Sequence, residues 1–265
     1  MSGRVLLRAF AAPGLTIVLL PIVLVSWLAF FSQEIPSFPP EGHSLRWFSA
    51  AFSERKFASG FLLSAEIAAL STAIGLAVSI PAAIALQRFR FRGRGTLGSI
   101  LLFPLVIPGV VLGAALYIFE VQAEKTTDLP LIGSYAGLVI GHVLIVIPWC
   151  IKLLGVSLSG LDRGIEEAAM NLGAKPWTTF RRILLPGIRP GLVAASLFGF
   201  VVSFGNLEMT LFLVGPGQST LPIAIMQYLE WKVDPTIAAV SVVQIVLIGA
   251  ALLLTDRYVS LSRVV

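Results

Sequence analysis

Six apolar stretches dominate this chain, each about the length a helix needs to cross a bilayer. They run from about Phe10 to Phe31, Gly60 to Leu86, Leu97 to Phe119, Tyr135 to Gly155, Gly191 to Val214 and Thr236 to Thr255. A hydrocarbon core of about 30 Å is spanned by roughly 20 helical residues. Inside lipid every backbone N–H and C=O must be satisfied within the protein, which an α-helix does by itself. The composition agrees: 57% of the 265 residues are hydrophobic and 12% charged, where a soluble domain carries about a quarter charged residues. The expectation is an all-α fold, a polytopic membrane helix bundle with six transmembrane helices.

The loop charges orient that bundle. Arg4, Arg8, Arg88, Arg90, Arg92, Arg94, Lys152, Arg163, Lys175, Arg181, Arg182, Arg189, Arg257 and Arg263 fall on one side. Arg46, Arg55, Lys56, Lys125 and Lys232 fall on the other. The positive-inside rule makes the first side cytoplasmic, with both termini there. This asymmetry absorbs the net charge of +5, so nucleic acid is not an expected partner. Arg4 and Arg8 ahead of an apolar run resemble a signal peptide. The run is too long, however, and Trp27, Phe30 and Phe31 are too bulky for a cleavage site, so we read an uncleaved first span. The single cysteine, Cys150, cannot form an internal disulfide. No glycine-rich phosphate loop is present. His43 and His142 lack the neighbours of a metal site or a triad. No catalytic residue, metal or cofactor is expected, and no membrane-embedded enzyme can be assembled.

The longest loop on the cytoplasmic side, 156–190, has a pattern of its own. Asp162 suits an N-cap, and Glu166 and Glu167 lie near the positive end of the helix that follows. Ile165, Ala168, Ala169 and Leu172 share one helical face. Gly173 suits the left-handed residue after the helix. Pro176 suits the first turn of a second helix, with Phe180, Ile183 and Leu184 on its apolar side and Pro186 as its stop. An amphipathic pair of this kind serves equally for docking another protein or for lying on lipid or on its own bundle.

Glu167-Ala168-Ala169, Gly173 and Ile183-Leu184-Leu185-Pro186, at this spacing, resemble the EAA signature of type I ABC importer permeases, the binding-protein-dependent class. The resemblance covers about Phe57 to Asp256. It implies an N-terminal helix and periplasmic segment over 1–56, a permease core over 57–256 with its EAA loop at 156–190, and a cytoplasmic tail at 257–265. It also implies partners: two ATP-binding subunits, a second homologous permease and a periplasmic solute-binding protein, assembled in a bacterial inner membrane. Glu166, Glu167, Ala168, Ala169, Leu172, Gly173, Ile183 and Pro186 would couple the loop to the ATPases. Their closure would rock the membrane halves between inward- and outward-facing states. An ion-coupled carrier working alone is the reading from another class.

Phe103-Pro-Leu-Val-Ile-Pro-Gly-Val-Val-Leu-Gly113, Gly160-Leu-Asp162 and Val214-Gly-Pro-Gly-Gln-Ser-Thr-Leu-Pro-Ile223 are similar to the second permease of spermidine/putrescine-type systems. One stretch departs from that branch. Its carriers often show Ser-Phe-Asp and a second acid in span five, where this chain reads Ser203-Phe204-Gly205-Asn206-Leu207-Glu208. Other cargoes therefore stay open: an aminophosphonate, an amino-acid derivative or ferric iron. Ionisable groups within spans are costly unless wet or paired, so Glu208, with Ser203 and Asn206, and Glu66 in span two, are candidates for the translocation path. His142 is expected to make an internal hydrogen bond, Lys152 to snorkel, and Arg88 to Arg94 to act as a topology determinant with lipid head groups as the alternative.

Overall fold

A computed structural model describes residues 3–258. Arg263 and the end of the tail assigned to 257–265 lie outside the described residues. Among the described residues the regular elements are helices: α1 (Gly3–Leu28), α2 (Arg46–Ser53), α3 (Arg55–Arg88), α4 (Arg94–Leu102), α5 (Gly109–Thr127), α6 (Tyr135–Ser159), α7 (Arg163–Asn171), α8 (Pro176–Thr179), α9 (Leu185–Gly187), α10 (Arg189–Phe204), α11 (Thr210–Leu213), α12 (Leu221–Trp231) and α13 (Thr236–Tyr258). Segments of α1, α3, α6 and α13 are each long and apolar enough to cross a membrane, and two bent helix pairs raise the number to six.

The third span is not the single rod its hydropathy suggests. α4 runs through a 3₁₀ turn at Phe103–Leu105, and the chain then bends by 105° into α5. Pro104 and Pro108 lack N–H groups to donate to a preceding carbonyl, and the chain leaves helical geometry at Pro108, whose ψ is 136°. The fifth span is likewise interrupted. α10 has 16 residues, about 24 Å at 1.5 Å per residue. It stops at Phe204, and the chain resumes helix only at α11. Pro186, expected to stop a helix, does not. The chain widens to a π-turn over Phe180–Leu184, in which Leu185 N–H donates to Phe180 O. Pro186, which has no N–H to give, then sits in the first turn of α9, and the chain bends by 67° into α10. Neither α2 nor α12 was foreseen.

Two compact units divide the chain: one comprises the chain through Ser59 with Ala224–Gly249, the other Gly60–Ile223 with the chain from Ala250 onward. In the first, Trp47 is buried and its indole N–H donates to Phe31 O at 2.6 Å, pinning α2 under the end of α1. Asp234, also buried, caps α13 by accepting from Thr236 N–H at 2.9 Å, accepts from the Tyr228 hydroxyl at 3.0 Å and pairs with Lys232 at 2.9 Å. Burial pushes its carboxyl up, and the bonds from Lys232, Thr236 and Tyr228 outweigh that and hold it below the usual carboxylate range. A carboxyl lowered on folding stabilises above its unfolded pKa and loses that contribution as pH falls through the folded one. Asp234→Asn should therefore lower the unfolding midpoint at pH 7. The gap to the wild type should close under acid conditions as the wild-type carboxyl protonates, which thermal unfolding across pH will show.

The second unit is built on α6. Leu138, His142, Val146, Cys150, Leu154 and Leu158 recur every four residues and are all buried, one ridge of the helix. α10 answers with Gly191, Ala195, Gly199 and Ser203 at the same interval, all buried. Cβ atoms at Gly191 and Gly199 would press on Ser157 and Val146, so the small residues let the two helices close on each other. α3 lies on α6 in parallel: Ser71 and Ser79 hydroxyls donate to Val139 O and Ile147 O at 3.4 and 3.3 Å.

Candidate functional site

Two places in the second unit bring the predicted residues together. The first is the 156–190 loop. Asp162 caps α7 by accepting from Gly164 N–H at 2.8 Å. α7 ends in a Schellman pair, Ala174 N–H to Ala169 O at 3.0 Å and Gly173 N–H to Met170 O at 2.9 Å. Gly173 has φ +89°, a conformation that glycine enters without steric cost. Pro176 opens α8 as expected.

The two helices of the loop divide the alternatives that the sequence left open. The second leans on its own bundle: Thr179 and Leu184 are buried, and Phe180 packs against the core. The first keeps its apolar face open. Ile165 is 50% and Leu172 89% exposed. Glu167 and Ala168 are exposed and Ala169 half-buried. Ile183 is half-buried and Pro186 exposed. Glu166 turns inward instead, its carboxylate 2.7 Å from the Arg88 guanidinium.

The second place is the break in the fifth span. His142 Nδ1 lies 2.7 Å from Ser203 Oγ, at the end of α10, and Nε2 lies 3.2 Å from Thr210 Oγ1, at the start of α11. Thr210 Oγ1 also donates to Asn206 O at 2.9 Å. The ring thus lies between the two hydroxyls, with one nitrogen turned toward each. His142 therefore staples both sides of the break to α6, the internal hydrogen bond expected of it. Ser203 is accordingly buried, Asn206 is half-buried and Glu208 is exposed. α11 lies against α5 and α6 where they present glycines: Cβ atoms at Gly113 and Gly141 would run into Met209, Phe212 and Leu213. A Cβ at Gly109 would overlap the Glu208 carboxylate. The breaks of spans three and five thus meet, with Glu208 over the start of α5. Glu66 is exposed on α3 and has no hydrogen bond or ion pair among the described residues, so it is not joined to this cluster. Lys152 is exposed near the Trp149 ring.

Sequence reasoning missed Thr210, Gly109 and the pairing of Arg88. A threonine inside an apolar run carries no signal of its own, Gly109 stands out in the sequence only as part of the Phe103–Gly113 stretch, and Arg88 only as one charge of a basic loop.

The family model for the binding-protein-dependent transport system inner membrane component matches residues 46–262. The chain belongs to this family. It is the permease subunit of an ABC importer. Its relatives include the putrescine transport system permease protein PotI of Escherichia coli (strain K12), 31% identical over 86% of this chain and 81% of that protein. They also include the spermidine/putrescine transport system permease protein PotC of the same strain, 25% identical over 93% and 91%. A solved bacterial alginate ABC transporter, in complex with alginate pentasaccharide-bound periplasmic protein, has the same fold, with a TM-score of 0.73 at 16% identity over 95% of this chain and 93% of that one.

Proposed function

We propose that this permease imports an organic cation of the putrescine and spermidine kind. In this reading it shares the solute path with a second, homologous permease and receives solute from a periplasmic binding protein. Two ATP-hydrolysing subunits power it. The loop side of the membrane and both termini are cytoplasmic, as the distribution of Lys and Arg supports.

The ATPases seat on α7. The observation that carries this is the open apolar face of a helix whose ends are both fixed: Ile165 and Leu172 stay exposed while cap and Schellman turn hold the backbone. Ala168 and Ala169 let a partner come close to that backbone. Glu167 edges the contact. Gly173, Ile183 and Pro186 set the course of the chain into α10.

Glu208 supports a cationic cargo. It is an exposed carboxylate where two broken spans meet, a place where irregular backbone is tolerated only when buried in protein or lining a cavity. Asn206 lies beside it, and Ser203 acts through His142. A different small solute is the second reading, favoured by Gly205 and Asn206 standing where polyamine carriers have acids.

Uptake of labelled putrescine and spermidine by cells with the gene intact, deleted or carrying Glu208→Gln separates the two. Loss on deletion, with an apparent affinity reduced about tenfold in Glu208→Gln, is the expected result; about 1.4 kcal/mol corresponds to that factor. Unchanged uptake on deletion would move the cargo to the second reading. Loss on deletion with a normal Glu208→Gln would take Glu208 off the path.

A further inference from the structure

We propose that Arg88 is a positioning residue that carries the movement of α7 into α3. The proposal rests on the ATPase-docking role of α7 given above and adds the route by which that movement enters the membrane.

A topology determinant needs only charge and water. Arg90 and Arg92 fit that description, since both are exposed. Arg88 does not. Its side chain is 12% exposed and sits 2.7 Å from Glu166 Oε1, itself 13% exposed. The same guanidinium donates to Leu161 O at 3.0 Å, immediately ahead of the α7 cap. The connection is returned from the other side. Arg163, in the first turn of α7, donates to Arg88 O at 3.1 Å. That carbonyl is at the last residue of α3, where carbonyls have no helical partner and a cation is favoured. Arg163 also reaches Glu167 at 3.1 Å. Two arginines thus clasp the end of one helix to the start of the other, with bonds in both directions.

The clasp has mechanical consequences because of what lies on either side of it. α3 is one helix of 34 residues, about 51 Å at 1.5 Å per residue. Beyond the clasp its hydrogen bonds to α6 among the described residues are two long hydroxyl bonds, and apolar packing, with Ile67 and Ala83 in the shared core and Gly75 against Val146, holds the two helices together. Trp177 and Phe180, stacked at 5.2 Å, share an apolar groove with Ile80, Pro81, Ile84 and Phe89 of the same stretch of chain. A displaced α7 therefore meets α3 through a mostly buried ion pair that cannot part cheaply: removing one partner leaves the other charge buried and uncompensated. With Glu166 held inward by Arg88, the acid on the open side is Glu167, whose pair with Arg163 is more than half exposed.

The test is a charge swap read at the far end of α3. Leu62 is 61% exposed, and Cys150 is buried and fully shielded, so a Leu62→Cys permease carries one accessible thiol. The protein is purified as the assembled transporter with its ATPases, and the maleimide labelling rate is measured with and without MgATP. A change on adding MgATP is expected, of about threefold or more for a shift between two states. Arg88→Glu and Glu166→Arg should each remove that response while ATPase subunits still copurify, and the double swap should restore it. Arg88→Lys, which keeps the charge but not the fork that reaches Leu161 O, should respond in between. Arg90, Arg92 and Arg94 remain in every variant to hold topology. An undiminished response in both single variants, no response in the otherwise unchanged permease, or a double swap as silent as the singles would each overturn the proposal. Full ATPase recruitment by a Leu172→Asp permease would instead sink the docking role of α7, whatever the swap shows.

Discussion

A Gly173→Pro permease is expected to reach the membrane in normal amounts and to import nothing measurable. Gly173 has φ +89°, whereas proline is held near −65°. Its N–H donates to Met170 O at 2.9 Å, a bond proline cannot make. The loss of that bond and the forced change of backbone together cost about 3 kcal/mol or more, more than the short turn between α7 and α8 can absorb. The open face of α7, with Leu172 at its end, would then leave its fixed angle to α8. Insertion depends on the spans and not on this loop, so membrane abundance is the control. Gly173→Ala supplies the graded comparison. No atom lies within 4 Å of a Cβ placed there, so alanine meets only the left-handed backbone penalty of about 1–2 kcal/mol, and uptake should fall without vanishing. Uptake and copurification of ATPase subunits, measured together, check both variants. Normal uptake by the proline variant would remove the loop from the coupling route.

The parts of this fold that were legible in the sequence are those governed by local rules. Apolar length located the helices of spans four and six to within four residues, while those of spans one and two begin seven and five residues before the apolar stretch does. Cap chemistry located α7 from Asp162 to Gly173, because each signal there involves neighbours in the chain. The in-span prolines signal kinks, but the position and angle of the breaks in spans three and five are not legible, since hydropathy averages over a window and is blind to a missing N–H. Pro104 and Pro108 lower a profile averaged over the window too little to break the apolar stretch, yet they set a bend of 105°. Pro186 misled for the opposite reason: proline ends an ordinary helical register, and the π-turn before it changed the register. Long-range pairs were out of reach altogether. Nothing near Arg88 in the chain announces Glu166, and nothing near His142 announces Thr210, 68 residues away. The meeting of Gly109 with Glu208 is likewise a product of two breaks, neither of which could be placed from composition.

The second large effect is expected at His142. In His142→Leu the hydroxyls of Ser203 and Thr210, 1% and 0% exposed, lose the ring that joins them. Interhelical hydrogen bonds in membranes are individually modest, about 0.6 kcal/mol on average, so deleting two bonds would by itself be tolerable. The cost is raised because the partners stay behind. A buried hydroxyl left unsatisfied costs about 1–3 kcal/mol, and neither Ser203 on α10 nor Thr210 on α11 can turn to water. Thr210 keeps its bond to Asn206 O at 2.9 Å, so Ser203 bears most of the penalty. That makes the prediction specific. His142→Leu should lower the unfolding midpoint of the detergent-purified permease, and adding Ser203→Ala should recover part of the loss, because the orphaned hydroxyl is gone. Simple addition of the two single effects would mean that the pair is not coupled. Uptake should follow a different order. With the staple gone, the segment from Gly205 to Met209 is free to shift, and Glu208 leaves its place over Gly109. The double variant should therefore regain stability and not transport. Recovery of both together would reduce His142 to a packing residue, and recovery of stability alone would place the function of the ring in holding the break of span five.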